Sequence, residues 1–428
     1  MKNSEIEWRN IVSEKWEISR IKYISHIFGR IGFRGYTQQD LVDNEEKGAI
    51  TLSPSNFSNM KMNYKKCTYL SWDKYNESPE IKIYNGDILF VKTGSTYGKS
   101  VYVTNLPQKA TINPQLIVFK NILMNRKVFL YVLQTSIIQY QTELAVVGGT
   151  IPTISQEKIA NFIFPVPPIK LQKRIADYLD DKCSEIDSLI LDIQKQIEIL
   201  EEYKKSVITE AVTKGLNSNM EMKDSAISYV GNIPATWKIH PLYYYFGERK
   251  NKNNLGKEEN LLSLSYGKII RKDITLNGGL LPESFTTYNI VEKDDIIIRP
   301  TDLQNDKRSL RTGLVKEHGI ITSAYIILKR IKQINVEYVH YLLHAFDVIK
   351  VFYNMGNGVR QGLNYSEFSR LQIFEPSIME QDKIVSYLNK KCAEIDFVLK
   401  DKQEQLNKLA EYKKSLIYEY VTGKKGVQ

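Results

Sequence analysis

The chain has 428 residues, 42% of them hydrophobic and 25% charged, a net charge of +10 and a pI near 9.1. That length calls for two or more domains, and that charge calls for a polyanionic partner. The polar start MKNSEIEWRN has no signal-peptide core, and no apolar run approaches the length that spans a membrane. Cys67, Cys183 and Cys392 lie far apart without a C-x-x-C pair, which argues against a disulfide framework or a zinc site and for a cytoplasmic protein.

Along the chain, the first notable loop is FGRIGFRGYTQQ (28–39), where Arg30, Arg34, Tyr36, Gln38 and Gln39 alternate with glycine. Short β-rich runs follow at 81–92, 100–105 and 115–120, then a helical stretch at 126–141. The segment KTGSTYGKS (92–100) looks at first like a phosphate-binding loop. However, three residues rather than four separate Gly94 from Gly98, and Val101-Tyr102-Val103 reads as a strand where a P-loop needs a helix. A Gly-rich hairpin tip carrying Lys92, Tyr97 and Lys99 is the expectation.

Pro167-Pro168 opens a long helical tail that Gly215 closes. Its apolar residues Leu179, Cys183, Ile186, Ile190, Ile193, Ile197 and Leu200 recur at alternating spacings of 3 and 4, which is a heptad seam. A second tail repeats this register at Leu388, Cys392, Ile395, Leu399, Leu406 and Leu409. About half the positions of 172–213 recur identically at 381–422, offset by 209 residues without a gap. Two copies of one unit are therefore expected, each a variable globular segment followed by a similar helix. A two-helix coiled coil is the simplest way to cover both stripes; the other arrangement packs each helix on its own domain. Lys204 and Lys413 fall at the same seam position, where a polar residue sets register or marks a docking site.

The second globular segment carries basic, Gly-, Asn- and Gln-rich loops at 266–273, 299–313 and 357–364, with Arg271, Arg308, Arg311 and Arg360. Residues 1–168 carry +6 and 216–377 carry +4, whereas the helical tails cancel. A nucleic acid would thus be gripped by the globular segments, with Arg suited to guanine, Gln to adenine and Lys to phosphate. The candidates are Arg30, Arg34, Gln38, Lys92, Tyr97, Lys99, Arg271, Arg308, Arg311 and Arg360; the other reading of any one of them is a solvated surface charge. No methyltransferase motif occurs, since Ile112-Asn113-Pro114-Gln115 lacks the second Pro and the aromatic residue. The Glu-x-Lys pieces Glu45/Lys47 and Glu80/Lys82 have no Pro-Asp partner for a magnesium nuclease, and the five His are scattered, so no catalytic residue and no metal site is expected.

Several marks together resemble the DNA-specificity subunits of type I restriction-modification enzymes, over essentially the whole chain. They are P-x-x-x-x-Q-x-x-I-x-x-Y-L-x-x-K-C-x-E-I-D at 168–187, its second copy beginning at Ser377, E-Y-K-K-S-x-I-x-E at 202–210 and 411–419, and Ile233, Pro234 and Trp237 at the entry to the second half. The first half departs from the family here, having Trp16 without the Pro. The resemblance implies a mixed α/β fold with two target-recognition domains, 1–165 and 216–375. It also implies two helical spacers, 166–215 and 376–424, that pair antiparallel in an internal pseudo-twofold repeat. Each domain would read half of a split double-stranded DNA target with an unspecified gap. The helices, through seam residues such as Leu179, Cys183, Ile186, Ile190, Ile197, Leu388, Cys392, Ile395, Leu399 and Leu406, would act as a ruler and dock two methyltransferase subunits. Those partners use S-adenosylmethionine, and motor-nuclease subunits use ATP and magnesium; this chain would bind no cofactor and catalyse nothing. Two other readings stand beside this one. A restriction polypeptide with its own nuclease activity is opposed by the missing motifs, and a purely structural coiled-coil adaptor is opposed by the charge.

Overall fold

In the computed structural model of the chain, the described residues are 16–30, 32–58, 61–227, 229–273, 284–301, 310–355 and 362–427. They divide into two compact units. Unit 1 comprises 1–193 with 404–428, and unit 2 comprises 194–403.

In unit 1 a four-stranded antiparallel sheet runs in the order His26–Gly29, Leu116–Lys120, Ile88–Val91, Ser100–Tyr102. All four residues of Ile88–Val91 are buried, which explains why this strand reads as an unbroken apolar run. Phe90, Phe119 and Phe129 meet edge-on in the core beneath it, and Phe164 lies tilted against Phe129. A second sheet orders Ala110–Ile112, Gly48–Leu52, Thr68–Ser71 and Leu41–Val42. The expected helix at 126–141 is two helices, α1 (Arg126–Leu133) and α2 (Ser136–Ala145). Thr135 takes an extended conformation between them, and its hydroxyl donates to the Val132 carbonyl rather than continuing the helix. A short helix α3 (Gln156–Ala160), capped by Ser155, leads to strand Ile163–Val166, which pairs with Glu17–Arg20. The first long helix, α4 (Ile169–Lys214), then begins.

Unit 2 repeats the plan. Its sheet runs Phe246–Glu248, Ile326–Arg330, Ile296–Ile298, Thr312–Leu314, the same order as in unit 1. Helix α5 (Val336–Val348) is capped by Asn335, and it stops before Lys350, whose φ of 66° is left-handed. Helix α6 (Tyr365–Phe368) is capped by Asn364, and strand Gln372–Glu375 pairs with Lys238–Pro241. The second long helix, α7 (Ile378–Val421), follows.

Each unit holds one half of both long helices. In unit 1, Ile175, Leu179, Cys183 and Ile186 of α4 pack with Leu416, Ile417 and Val421 of α7 against the Phe core. In unit 2, Val207, Ile208 and Val212 of α4 pack with Ile384, Leu388 and Cys392 of α7 against Trp237, Phe346 and Phe374. Ile395 is buried, whereas Ile190, Ile197, Leu399 and Leu406 are half-buried. The helices run antiparallel: within unit 1, Tyr178 meets Tyr420 and Asp187 meets Lys413, so numbers rise along one helix as they fall along the other. The seam lysines are the register pins. Lys413 reaches Asp187 at 2.6 Å in unit 1, and its repeat mate Lys204 reaches Asp396, the repeat mate of Asp187, at 2.6 Å in unit 2. In this register each seam lysine finds a carboxylate of the facing helix.

The glutamine of the P-x-x-x-x-Q motif has a structural task. Buried Gln172 accepts from the Asn125 backbone N–H at 2.7 Å and donates to the Pro167 carbonyl at 2.9 Å. Gln381 does the same with Asn335 and Pro376, both at 2.8 Å. One amide thereby satisfies the backbone just before a long helix and the N-terminus of the helix that packs on it, at a buried place where an unpaired group would be costly.

Candidate nucleic-acid interface

The KTGSTYGKS segment is a hairpin tip between Ile88–Val91 and Ser100–Tyr102. Gly98 N–H donates to the Val91 carbonyl and Val91 N–H to the Lys99 carbonyl, both at 2.9 Å. Gly94 (φ 105°) and Gly98 (φ 83°) both need the left-handed region, and a Cβ at Gly98 would lie 2.8 Å from the Gln139 amide oxygen. The glycines therefore make the turn and admit α2; they cradle no phosphate.

Two further loops join this tip. The Lys92 N–H donates to the Gln115 carbonyl at 2.9 Å, which brings in the turn Asn113-Pro114-Gln115. Gly94 N–H donates to the Pro152 carbonyl and Ile154 N–H to the Lys92 carbonyl, both at 2.9 Å, which brings in 147–153. The Thr93 and Thr153 hydroxyls share a 2.6 Å hydrogen bond. Lys92, Thr93, Gln115 and Thr153 thus gather on a cluster that no short stretch of sequence contains. Unit 2 has the corresponding joint, where Leu363 N–H donates to the Pro300 carbonyl at 2.9 Å beside Arg299 and Thr301.

The sequence-derived candidates separate by environment. Lys99 and Gln38 are exposed, and Lys92 is half-buried. No described residue forms an ion pair with Lys92, and burial holds its ammonium below the ordinary lysine value. Tyr97 is half-buried, with its ring against the unit 1 core. Arg34 lies 3.6 Å from the Glu80 carboxylate, and Arg271 is ion-paired with Glu317. Two candidates need correction, because they are interior residues rather than loop-surface ones. The Arg30 guanidinium donates to the Ile112 carbonyl (3.1 Å), the Thr111 hydroxyl (3.0 Å) and the Arg34 carbonyl (3.3 Å), and so pins its loop to the second sheet. Arg311 is wholly buried; its backbone N–H donates to Asp347 and its guanidinium to the Thr301 carbonyl. Arg308 and Arg360 lie outside the described residues. Sequence reasoning missed Thr93, Gln115, Thr153 and the 147–153 loop, whose Gly148-Gly149 pair marks a turn but not the surface it joins.

Among the described residues, no group of three or more His, Cys, Asp and Glu could hold a metal ion, and no helix is long and apolar enough to cross a membrane.

Residues 13–200 match the family described as the type I restriction modification DNA specificity domain. The MjaX specificity subunit of Methanocaldococcus jannaschii is 25% identical over 96% of this chain and 94% of its own length, and the MjaVIII type I restriction enzyme specificity subunit of the same organism is 24% identical over 96% and 93%. Over nearly its whole length this chain is similar to type I restriction enzyme specificity subunits, and residues 13–200 match their DNA specificity domain. The fold agrees. A chain solved in work on complex assembly and conformational transition of the type I R-M system superposes with a TM-score of 0.69 at 12% identity, covering 96% of this chain and 98% of that one. DNA recognition is the role that family description carries, and its members are named for specificity rather than for catalysis.

Proposed function

We propose that this chain reads a bipartite double-stranded DNA target with an unspecified gap, one half-site per unit. In this reading residues 1–165 and 216–375 are the target-recognition domains, and 166–215 and 376–424 are the spacers that set the gap. The observation that carries it is the repetition itself. Both units have the same strand order and the same loop joint, at Lys92/Ile154 and at Pro300/Leu363, held on a repeated helix frame. Lys92 and Lys99 meet phosphate, and Thr93, Gln115, Gln38 and Thr153 offer the donors and acceptors that base edges require. The helices dock two methyltransferase subunits, and motor-nuclease subunits join them in the cytoplasm; S-adenosylmethionine, ATP and magnesium belong to those partners. No observation on this chain favours a nuclease activity of its own.

The test is to co-express the chain with the methyltransferase subunit of its system and map methylated adenines in host DNA by single-molecule sequencing. A split motif with one fixed gap is expected. Methylation at no defined motif, from a complex that stays intact on a sizing column, would overturn the assignment of DNA reading to the globular units.

A further inference from the structure

The repeat equates Tyr178 with Tyr387 and Tyr420 with Ala211. In unit 1 the Tyr420 ring packs on Tyr178, with centroids 4.5 Å apart, planes tilted by 39° and hydroxyls 3.1 Å apart. In unit 2, Ala211 supplies no ring for Tyr387. A cleft of about 720 Å³ lies there instead, with Tyr203, Val207, Ala211, Leu216, Met222 and Tyr387 in its wall. Four of these are large apolar side chains that stay in solvent: Tyr203 (52% exposed), Leu216 (45%), Met222 (37%) and Tyr387 (37%). Such a cluster around a concavity marks an interaction site more often than a bare surface.

We infer that this cleft is a socket for an aromatic side chain of the methyltransferase subunit, an inference that rests on the docking role given to the helices above. Unit 1 shows what fits: a phenol ring laid against the tyrosine of the Y-L-x-x-K-C motif, with its hydroxyl turned to the tyrosine hydroxyl. The Tyr387 hydroxyl makes no hydrogen bond with a described residue, so it is available to the incoming group. Nucleic acid is the poorer occupant. The helical tail 169–215 carries −2, and Glu210 lines the cleft. A protein aromatic combines apolar area with one polar tip, which suits a wall of Tyr203, Leu216 and Met222 and a rim of Lys214, Asn217 and Asn232. The two methyltransferase sites are consequently unequal. At unit 1 the chain fills its own socket with Tyr420; at unit 2 the partner fills it.

The experiment counts methyltransferase subunits per chain by native mass spectrometry of the full complex, for the wild type, Ala211→Tyr and Tyr387→Ala. The wild type is expected to carry two. Ala211→Tyr closes the socket with the ring that unit 1 already uses, and one of the two partners should then bind at least tenfold more weakly, leaving mostly one per chain. Tyr387→Ala, at a partly exposed position, removes the face on which the ring lies and should do the same. Two partners held at wild-type affinity by folded Ala211→Tyr, or by Tyr387→Ala if the first variant does not fold, would overturn the socket and leave the docking role standing. A wild type that carries none would overturn both.

Discussion

Arg30 and Lys92 are both cations in Gly-rich loops of unit 1, and their surroundings assign them opposite duties. Arg30 spends its guanidinium on two backbone carbonyls and a hydroxyl, so Arg30→Ala should leave buried acceptors unpaired and lower the stability of unit 1 by about 2–4 kcal/mol. Lys92 has no ion pair with a described residue and sits where three loops meet; Lys92→Ala should leave stability nearly unchanged, weaken DNA binding and reduce the slope of log K against log salt by about one. Chemical denaturation and salt-dependent binding titrations separate the two, and a Lys92→Ala protein with unaltered salt dependence would remove that residue from the interface. This distinction is not legible in the sequence. FGRIGFRG and KTGSTYGKS have the same character as strings, and only the closing of Leu116–Lys120 against Ile88–Val91 brings Gln115 to Lys92, as the return of 152–154 brings Ile154. Arg30 turns inward because Ile112 and Thr111, some eighty positions away, offer acceptors.

At the scale of elements, the long helices were the most legible part. A heptad stripe that runs from Leu179 to Leu200 fits no other element, and its duplication from Leu388 to Leu409 names the partner. Sequence could also single out Lys204 and Lys413, though not that each finds the other helix's Asp at 2.6 Å. These pins give the ruler idea a direct test. One heptad added to α4 after Ile193 and one to α7 after Gln403 keeps every seam contact of both units in phase, because seven residues restore the stripe. The insertion lengthens each helix by about 10 Å, the rise of about three base pairs. Methylation mapping should then return the same two half-sites with a gap longer by about three. An altered half-site at an unchanged gap would contradict the ruler. The break between α1 and α2 was harder to foresee, since 126–141 keeps its apolar periodicity across Thr135, where the Val132 carbonyl accepts from both the Thr135 N–H and its hydroxyl and the first helix ends.

For the molecule as a whole, the two units share a plan and differ in chemistry, and pH exposes the difference. Burial pushes His340 and His344 on α5 down to about 3 and about 4; Lys316 faces the first, Lys204 and Lys205 face the second, and the two imidazoles repel each other's protonation. Both pKa values fall below the ordinary value of about 6.5, so the folded unit refuses protons that the unfolded chain accepts. Stability from these residues is complete above pH 6.5 and is lost as pH falls toward 4, by up to about 1.4 kcal/mol per pH unit for each ring. His318, held above its ordinary value by Glu292 and Glu258, acts in the opposite sense and offsets part of this. Denaturation midpoints between pH 7.5 and 4.5 should show unit 2 melting ahead of unit 1, and the His340→Gln, His344→Gln double variant should flatten the slope. The duplication made the two-unit plan readable from sequence, but it also hid these inequalities: α1 has no histidine, and the repeat mate of Tyr420 is Ala211.

The way the units are drawn from the chain bears on how the protein is made. Unit 2 is one uninterrupted stretch, 194–403, whereas unit 1 joins 1–193 to 404–428. On the ribosome, unit 2 has all its parts while unit 1 still lacks Leu416, Ile417 and Val421, which seal its core, and Lys413, which answers Asp187. The half that is translated first is therefore completed second. Until residues 404–428 emerge, the apolar flank of the first helix stays open to water and to chaperones. A premature stop within those residues would spare every loop of the hairpin face and still cost unit 1 its closure.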